Sequence, residues 1–373
     1  MKLKWSGVAI LAVFASAAHA QSSVTLYGAI DSGVFFQSTA ASSFAPNAHN
    51  NGHVYGIKDG SLYGSFWGIK GTEDIGGGYK VNFRLQGVFN SSNGKVGLPD
   101  TTGTTAIFNQ QTTVGLSGPF GTFDAGRQYT PMIYAMADTD VRAAQYFGSI
   151  LGAWLGLNQA AGWPGTNTNV PLGALYDSNA LVYQTPKFYG ASAALEYAPG
   201  GVAGQIQGGT RESAVLRYSN YGLNLSAVYY NAHDTNLAAA APTGYDNNRL
   251  YYFGAKYTFR GVSVSASYGI GKNPSNTRLA DYEMISGGLG YQFTPFFKIT
   301  SGFYYLKDRN NSANHSSEYA VGAEYSLSKR TIVSAQVGYV ANRGTMNQTI
   351  MYGQIVAPGV STTAAMIGLR HSF

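Results

Sequence analysis

The sequence predicts an all-β fold: a transmembrane antiparallel β-barrel of about sixteen strands, with a long third loop folded inward. Three observations carry this. First, side chains alternate with a two-residue period along most of the chain. In the final run, Ala365, Ile367, Leu369, His371 and Phe373 share one face, and Met366, Gly368, Arg370 and Ser372 the other. That period marks a strand with one apolar and one polar environment. Second, no segment after the first twenty residues reads as a membrane helix, which leaves a closed barrel as the way to span lipid. Third, the polarity is of an uncharged kind. Only 11% of residues are charged, while Gly numbers 48, Tyr 28 and Phe 19, against about 25% charged in a soluble domain.

Residues 1–20 stand apart as a secretory signal peptide. Lys2 and Lys4 give a basic start, Val8 to Phe14 an apolar core, and Ala18-His19-Ala20 a small-x-small cleavage site. The apolar run is too short to cross a bilayer. Residues 21–373 then form the barrel. The full chain carries +6; without Lys2 and Lys4, 22 basic residues face 18 acidic ones, a balance of +4. The positives are scattered one or two per strand with no basic run, which speaks against nucleic-acid binding. The absence of cysteine excludes disulfides and thiolate metal sites.

Strand by strand, the clearest hairpin is Asn247–Phe259, Arg260-Gly261 and Val262–Ile270. Tyr251, Phe253, Ala255, Tyr257 and Phe259 share a face in its first arm, and Val262, Val264, Ala266, Tyr268 and Ile270 in its second. Residues 78–90, 222–231 and 317–327 alternate in the same way, and 24–36 and 54–70 are each read as one strand. Short turns such as Gly118-Pro119-Phe120-Gly121 and Ser328–Arg330 alternate with longer polar loops, placing short turns at one rim and long loops at the other. The first and last strands must pair, because an open edge is not tolerated in lipid.

One connection departs from this rhythm. Residues 129–177 contain no good strand, and from Ala143 to Tyr176 no charged residue. Six elements of punctuation, Gly148, Gly152, Gly156, Gly162, Pro164 and Gly165, argue against a lipid-facing helix. Such a loop is expected to fold inward and pack on the wall. Its Tyr146, Phe147, Trp154 and Trp163 either anchor it there or form a stacking track for solutes.

Several stretches together resemble the trimeric general porins of Gram-negative outer membranes, in particular the beta-proteobacterial branch. They are Ser23–Gly28, Trp67–Gly78, Val114–Gly121, Gly126-Arg127-Gln128-Tyr129 and the ending Gly368–Phe373, spread over the whole mature chain. The resemblance implies sixteen strands, a homotrimer, and a third extracellular loop forming an eyelet in which basic wall residues face acidic loop residues. It implies residence in outer-membrane lipid, passage of small hydrophilic solutes and ions, no cofactor, and a terminal Phe373 read by the barrel-assembly machinery. Arg127 matches one eyelet arginine; two others fall at Phe66 and near Gln184 and are lost, a loss that Arg84 beside Lys80 compensates. Asp138 and Asp140 fall where loop acids are expected, with Arg142 close by.

Alternation against Val81 and Phe83 turns Lys80 and Arg84 toward the lumen. Arg127 would by alternation face lipid, at a midplane cost of about 2–4 kcal/mol, so a bulge or a strand end must redirect it. Asp138 and Asp140 either serve the eyelet or cap a loop helix. The expected function is a passive water-filled channel, mildly anion-preferring. A substrate-selective pore using Trp154 and Trp163, and an adhesin or receptor barrel, are the alternatives. No Ser-His-acid set, HExxH or phosphate-loop motif suggests an enzyme, and His49 and His53 lie in an Asn- and Gly-rich loop unsuited to a metal site.

Overall fold

Alternating side chains give strands whose backbone groups must all find partners in neighbouring strands, and the chain meets that demand by closing on itself. The computed structural model describes residues 23–97, 106–163, 170–235 and 243–373; the expected signal peptide at 1–20 lies outside them. The strands are β1 (Ser23–Gln37), β2 (Val54–Asp59), β3 (Ser65–Gly76), β4 (Tyr79–Phe89), β5 (Gln111–Gly118), β6 (Gly121–Tyr129), β7 (Tyr176–Gln184), β8 (Ala191–Ala198) and β9 (Arg211–Asn220). They continue as β10 (Leu223–His233), β11 (Asn247–Phe259), β12 (Val262–Lys272), β13 (Asp281–Thr294), β14 (Phe297–Asp308), β15 (His315–Ser326), β16 (Thr331–Arg343) and β17 (Thr362–Ser372). Among the described residues two helices, α1 (Pro131–Asp138) and α2 (Ile150–Ala160), lie between β6 and β7.

Among the described residues seventeen strands make sixteen wall positions, because β2 and β3 lie end to end beside β1. Alternation alone reads 54–70 as one strand. Instead the chain dips into the lumen at residues 60–64, and the reason is Asp31. Its buried carboxylate accepts from the backbone N–H groups of Ser61 (2.7 Å), Leu62 (3.0 Å) and Tyr63 (3.0 Å), from the Ser61 hydroxyl, and from Arg370 (3.3 Å). Three successive N–H groups turned toward one carboxylate cannot also serve a ladder.

Closure is antiparallel, β1 on β17, with Ala29 opposite Ser372 and Gln37 opposite Ala364. Phe373 extends it: its N–H donates to the Gly28 carbonyl at 3.0 Å and its carbonyl accepts from the Gly28 N–H at 3.2 Å. A Cβ at Gly28 would stand 2.5 Å from the Phe373 ring, so only glycine lets the last side chain lie across the first strand. The expected 259–262 hairpin is present, and Arg260 and Gly261 both take positive φ (47° and 85°), the turn whose twist matches the flanking strands. Outward faces are apolar and open, as with Ile367 (65% exposed), while inward neighbours such as Met366 (1%) are covered.

What covers them is chain folded into the lumen. Helix α2 packs on β13 and β14, and α1 on β8 to β11. The connection between β16 and β17 enters too, burying Met346, Ile350, Met351, Tyr352 and Val356. The three infolded segments are joined by backbone hydrogen bonds: Tyr146 N–H to Leu62 O (2.8 Å), Tyr352 N–H to Tyr146 O (2.8 Å) and Gly148 N–H to Ile350 O (2.7 Å). The sequence foretells the infolding of the third loop; it does not foretell that of the last, whose Gln, Asn and Thr content reads as an ordinary polar loop. Because the Asp31 carboxylate holds the first of these segments, Asp31→Ala is expected to destabilise the barrel by about 3–5 kcal/mol, as loss of one partner of a buried ion pair does. The denaturation midpoint of the refolded protein in detergent measures this.

Candidate functional site: the cavity beside the infolded loop

The segments that fill the lumen leave one side open. A cavity of about 560 Å³ lies between α1 and the wall formed by β1, β3–β7 and β9. Alternation places its side chains. Leu26 faces out while Thr25 faces in; on the next strands, Lys70 and Arg84 follow the outward-facing Ile69 and Phe83, and on β9 Arg217 follows Leu216. Lys70 and Arg84 are directly opposed across β3 and β4, in a row running from Thr25 to Thr113. The Lys70 ammonium stands 5.0 Å from the centre of the Tyr27 ring, and Arg84 donates to Gln111 Oε1 at 3.3 Å.

The loop supplies the facing side through Tyr129, Pro131 and Tyr134. Tyr134 keeps 40% of its surface open, yet protein surrounds the rest of it. That loss of water raises its phenol pKa, and the positive charges of Arg84 and Arg217 oppose the rise. Arg217 also forms an ion pair with Asp138 at the end of α1. Asp124 is the lining carboxylate among the described residues, so the cavity wall carries three cations against one anion.

The sequence-predicted residues separate into three groups. Arg84 lines this cavity. Asp138 stands at its edge, bound to Arg217. Lys80 shares the inward row but pairs with Asp74 beside the Gly76–Gly78 turn and is exposed at the short-turn rim, about 13 Å along the strand from Arg84. Arg127 does not line the cavity. The expected irregularity exists: Gly126 takes φ +125°, and on β7 Ser178 and Asn179 together oppose Arg127. Its guanidinium donates to Asn109 O (2.6 Å) and Ser178 Oγ (2.9 Å) and lies 5.3 Å from the Tyr176 ring centre.

Asp140 and Arg142 are also away from the cavity, buried where the loop meets the wall. Asp140 accepts from the N–H groups of Ala144 (3.1 Å) and Ile150 (3.3 Å) and from the Tyr304 hydroxyl (2.9 Å). Arg142 donates to the carbonyls of Phe147 (2.9 Å), Gly148 and Thr300 (3.3 Å) and to Gln336. An apolar loop still carries polar backbone, and a charge buried beside it satisfies groups that no strand can reach.

The aromatic set belongs to the same anchor. Phe147, Trp154 and Trp163 are buried, and Trp154 Nε1 donates to Leu172 O at 2.7 Å; none of them lines the cavity. Reading the sequence does not single out Lys70, Arg217, Asp124 or Tyr134. Alternation is enough to turn Lys70 and Arg217 inward, but only the third dimension separates them from other inward cations such as Lys256 and Lys298. Replacing Arg142 by Gln leaves buried carbonyls unpaired at about 1–3 kcal/mol each. The expected outcome is protease cleavage within 139–163 of the folded barrel and noisier open-channel current, both absent in the parent.

Comparison with known proteins agrees with this geometry. The family model described as Gram-negative porin matches residues 7–345. The chain is 29% identical to an outer membrane porin protein of Bordetella pertussis over the full length of both, and 27% identical to outer membrane porin protein 32 of Delftia acidovorans, again over both whole chains. It is 28% identical to the major outer membrane protein P.IB of Neisseria gonorrhoeae, over 95% of each. Among solved structures, an anion-selective porin from Comamonas acidovorans superposes with a TM-score of 0.75 at 23% identity, over 95% of this chain and all of that one, a likeness of fold. A closed sixteen-position barrel with a polar cavity inside its wall, matched by this family along nearly its whole length, is therefore a member of the Gram-negative porins, a water-filled channel of the outer membrane.

Proposed function

We propose that this channel favours anions, and that the preference is set in the cavity between α1 and the β3–β6 wall. The observation that carries the reading is the lining itself: Lys70 and Arg84 against Asp124, while Arg217 and Asp138 offset each other in an ion pair. Cations held by low-dielectric walls raise the local concentration of anions and lower that of cations. The name of the Comamonas acidovorans neighbour, an anion-selective porin, points the same way. The channel passes small hydrophilic solutes and ions by diffusion and has no catalytic step.

Trimeric assembly, and recognition of Phe373 by the barrel-assembly machinery, complete the reading and rest on family membership. Single-channel records that step shut in three equal levels, and failure of the chain to reach the outer membrane when Phe373 is removed, are the expected results. For selectivity, the zero-current potential in a potassium chloride gradient is expected to have the sign of chloride permeation. Arg84→Glu is expected to move it toward potassium. A cation-preferring parent channel would refute the assignment, and an unchanged potential in Arg84→Glu would place the filter elsewhere.

A further inference from the structure

Lys70 and Arg84 are an energetically costly pair. Residues directly opposed on adjacent antiparallel strands have Cβ atoms about 4.5–5.5 Å apart, and like charges there repel. Among the described residues no carboxylate lies within 4.0 Å of either cation, whereas Arg211, Arg217, Lys298, Arg309 and Arg370 each have one. Lys70 rests over the Tyr27 ring and Arg84 makes a single side-chain hydrogen bond, to Gln111, so most of its fork is left for the lumen. Around the pair, Thr25 and Thr113 bring hydroxyls to the same cavity, while Thr72, Asn82 and Gln128 already donate to Asn82, Ser117 and the Asp124 carbonyl. Asp124, on the inward row next to that of Arg84, reduces the positive field without pairing to either cation.

We propose that the Lys70–Arg84 pair is a binding subsite for a small dianionic oxyanion, inorganic phosphate or a short dicarboxylate, which dwells there during passage. The inference rests on the anion-preferring reading and names the class of solute it serves. The planar guanidinium of Arg84 takes two oxygens side by side, and the compact ammonium of Lys70 takes the second negative charge. A monovalent spherical ion uses one of these features only. A dianion relieves the repulsion between the two cations, and the hydroxyls of Thr25 and Thr113 replace part of its lost water.

The test is the chloride current of the purified full-length channel in planar bilayers, at fixed chloride and ionic strength, with inorganic phosphate added at neutral pH. The expected result is a block that saturates. Arg84→Lys, which keeps the charge but loses the fork, and Lys70→Gln are each expected to raise the half-blocking concentration roughly tenfold, the effect of losing one charge-assisted hydrogen bond. Lys329→Gln, in the turn between β15 and β16, is expected to leave it unchanged. Each variant's single-channel openings show that it has folded. Succinate in place of phosphate separates the two sources, and saturating block by either supports the subsite. A current that declines without saturating for both, or equal half-blocking concentrations in parent and both cavity variants, overturns it. An anion-preferring zero-current potential without saturable block removes the subsite and leaves the selectivity assignment standing. Saturable block in a cation-preferring channel does the reverse.

Discussion

Every later feature of this molecule depends on one constraint: in hydrocarbon, each backbone N–H and C=O must be bonded within the protein. A sheet meets it only by having no edge. The pairing of β1 with β17, continued by the mutual hydrogen bonds of Gly28 and Phe373, is where the condition is met last and where the chain's two ends are tied together. The glycine at 28 and the aromatic at 373 are two halves of one contact, since any side chain on the first would displace the second.

Closure at sixteen positions creates a second problem. The circumference that seals the wall encloses more space than inward side chains can fill. The chain solves it with its own loops, and three of them interlock by backbone hydrogen bonds across Leu62, Tyr146, Gly148, Ile350 and Tyr352. Bringing backbone into a half-dry interior requires polar partners at fixed places. Asp31, Asp140 and Arg142 are those partners, each meeting several backbone groups that lack a strand neighbour. Their charges therefore serve architecture, and the charges that line the cavity are a different set.

That different set is defined by what the infolded loops leave uncovered. With α2 packed on β13 and β14, a cavity stays open beside β3–β6, lined by Lys70, Arg84, Arg217 and Asp124. A cation facing water costs little to keep charged and acts on a passing ion at short range. A buried one of equal charge, such as Arg142, spends its field on the carbonyls around it. Position relative to the loops, more than residue type, thus separates the proposed filter residues from the scaffold.

Strand identity, hairpin placement, the closed antiparallel wall and the infolding of the third loop's described residues were legible in the sequence, because each is a consequence of local alternation, turn chemistry or a long stretch without charge. Arg84 was legible for the same reason. The break at 60–64, the entry of the last loop, and the true stations of Arg127, Asp140 and Arg142 were not. A bulge on β7 opposite Arg127, or a carboxylate on β1 reaching residues thirty positions away, leaves no mark on the period of either segment. Alternation tells which face of the wall a side chain takes; which inward charges meet water depends on how distant loops pack against them, and only the tertiary structure decides that.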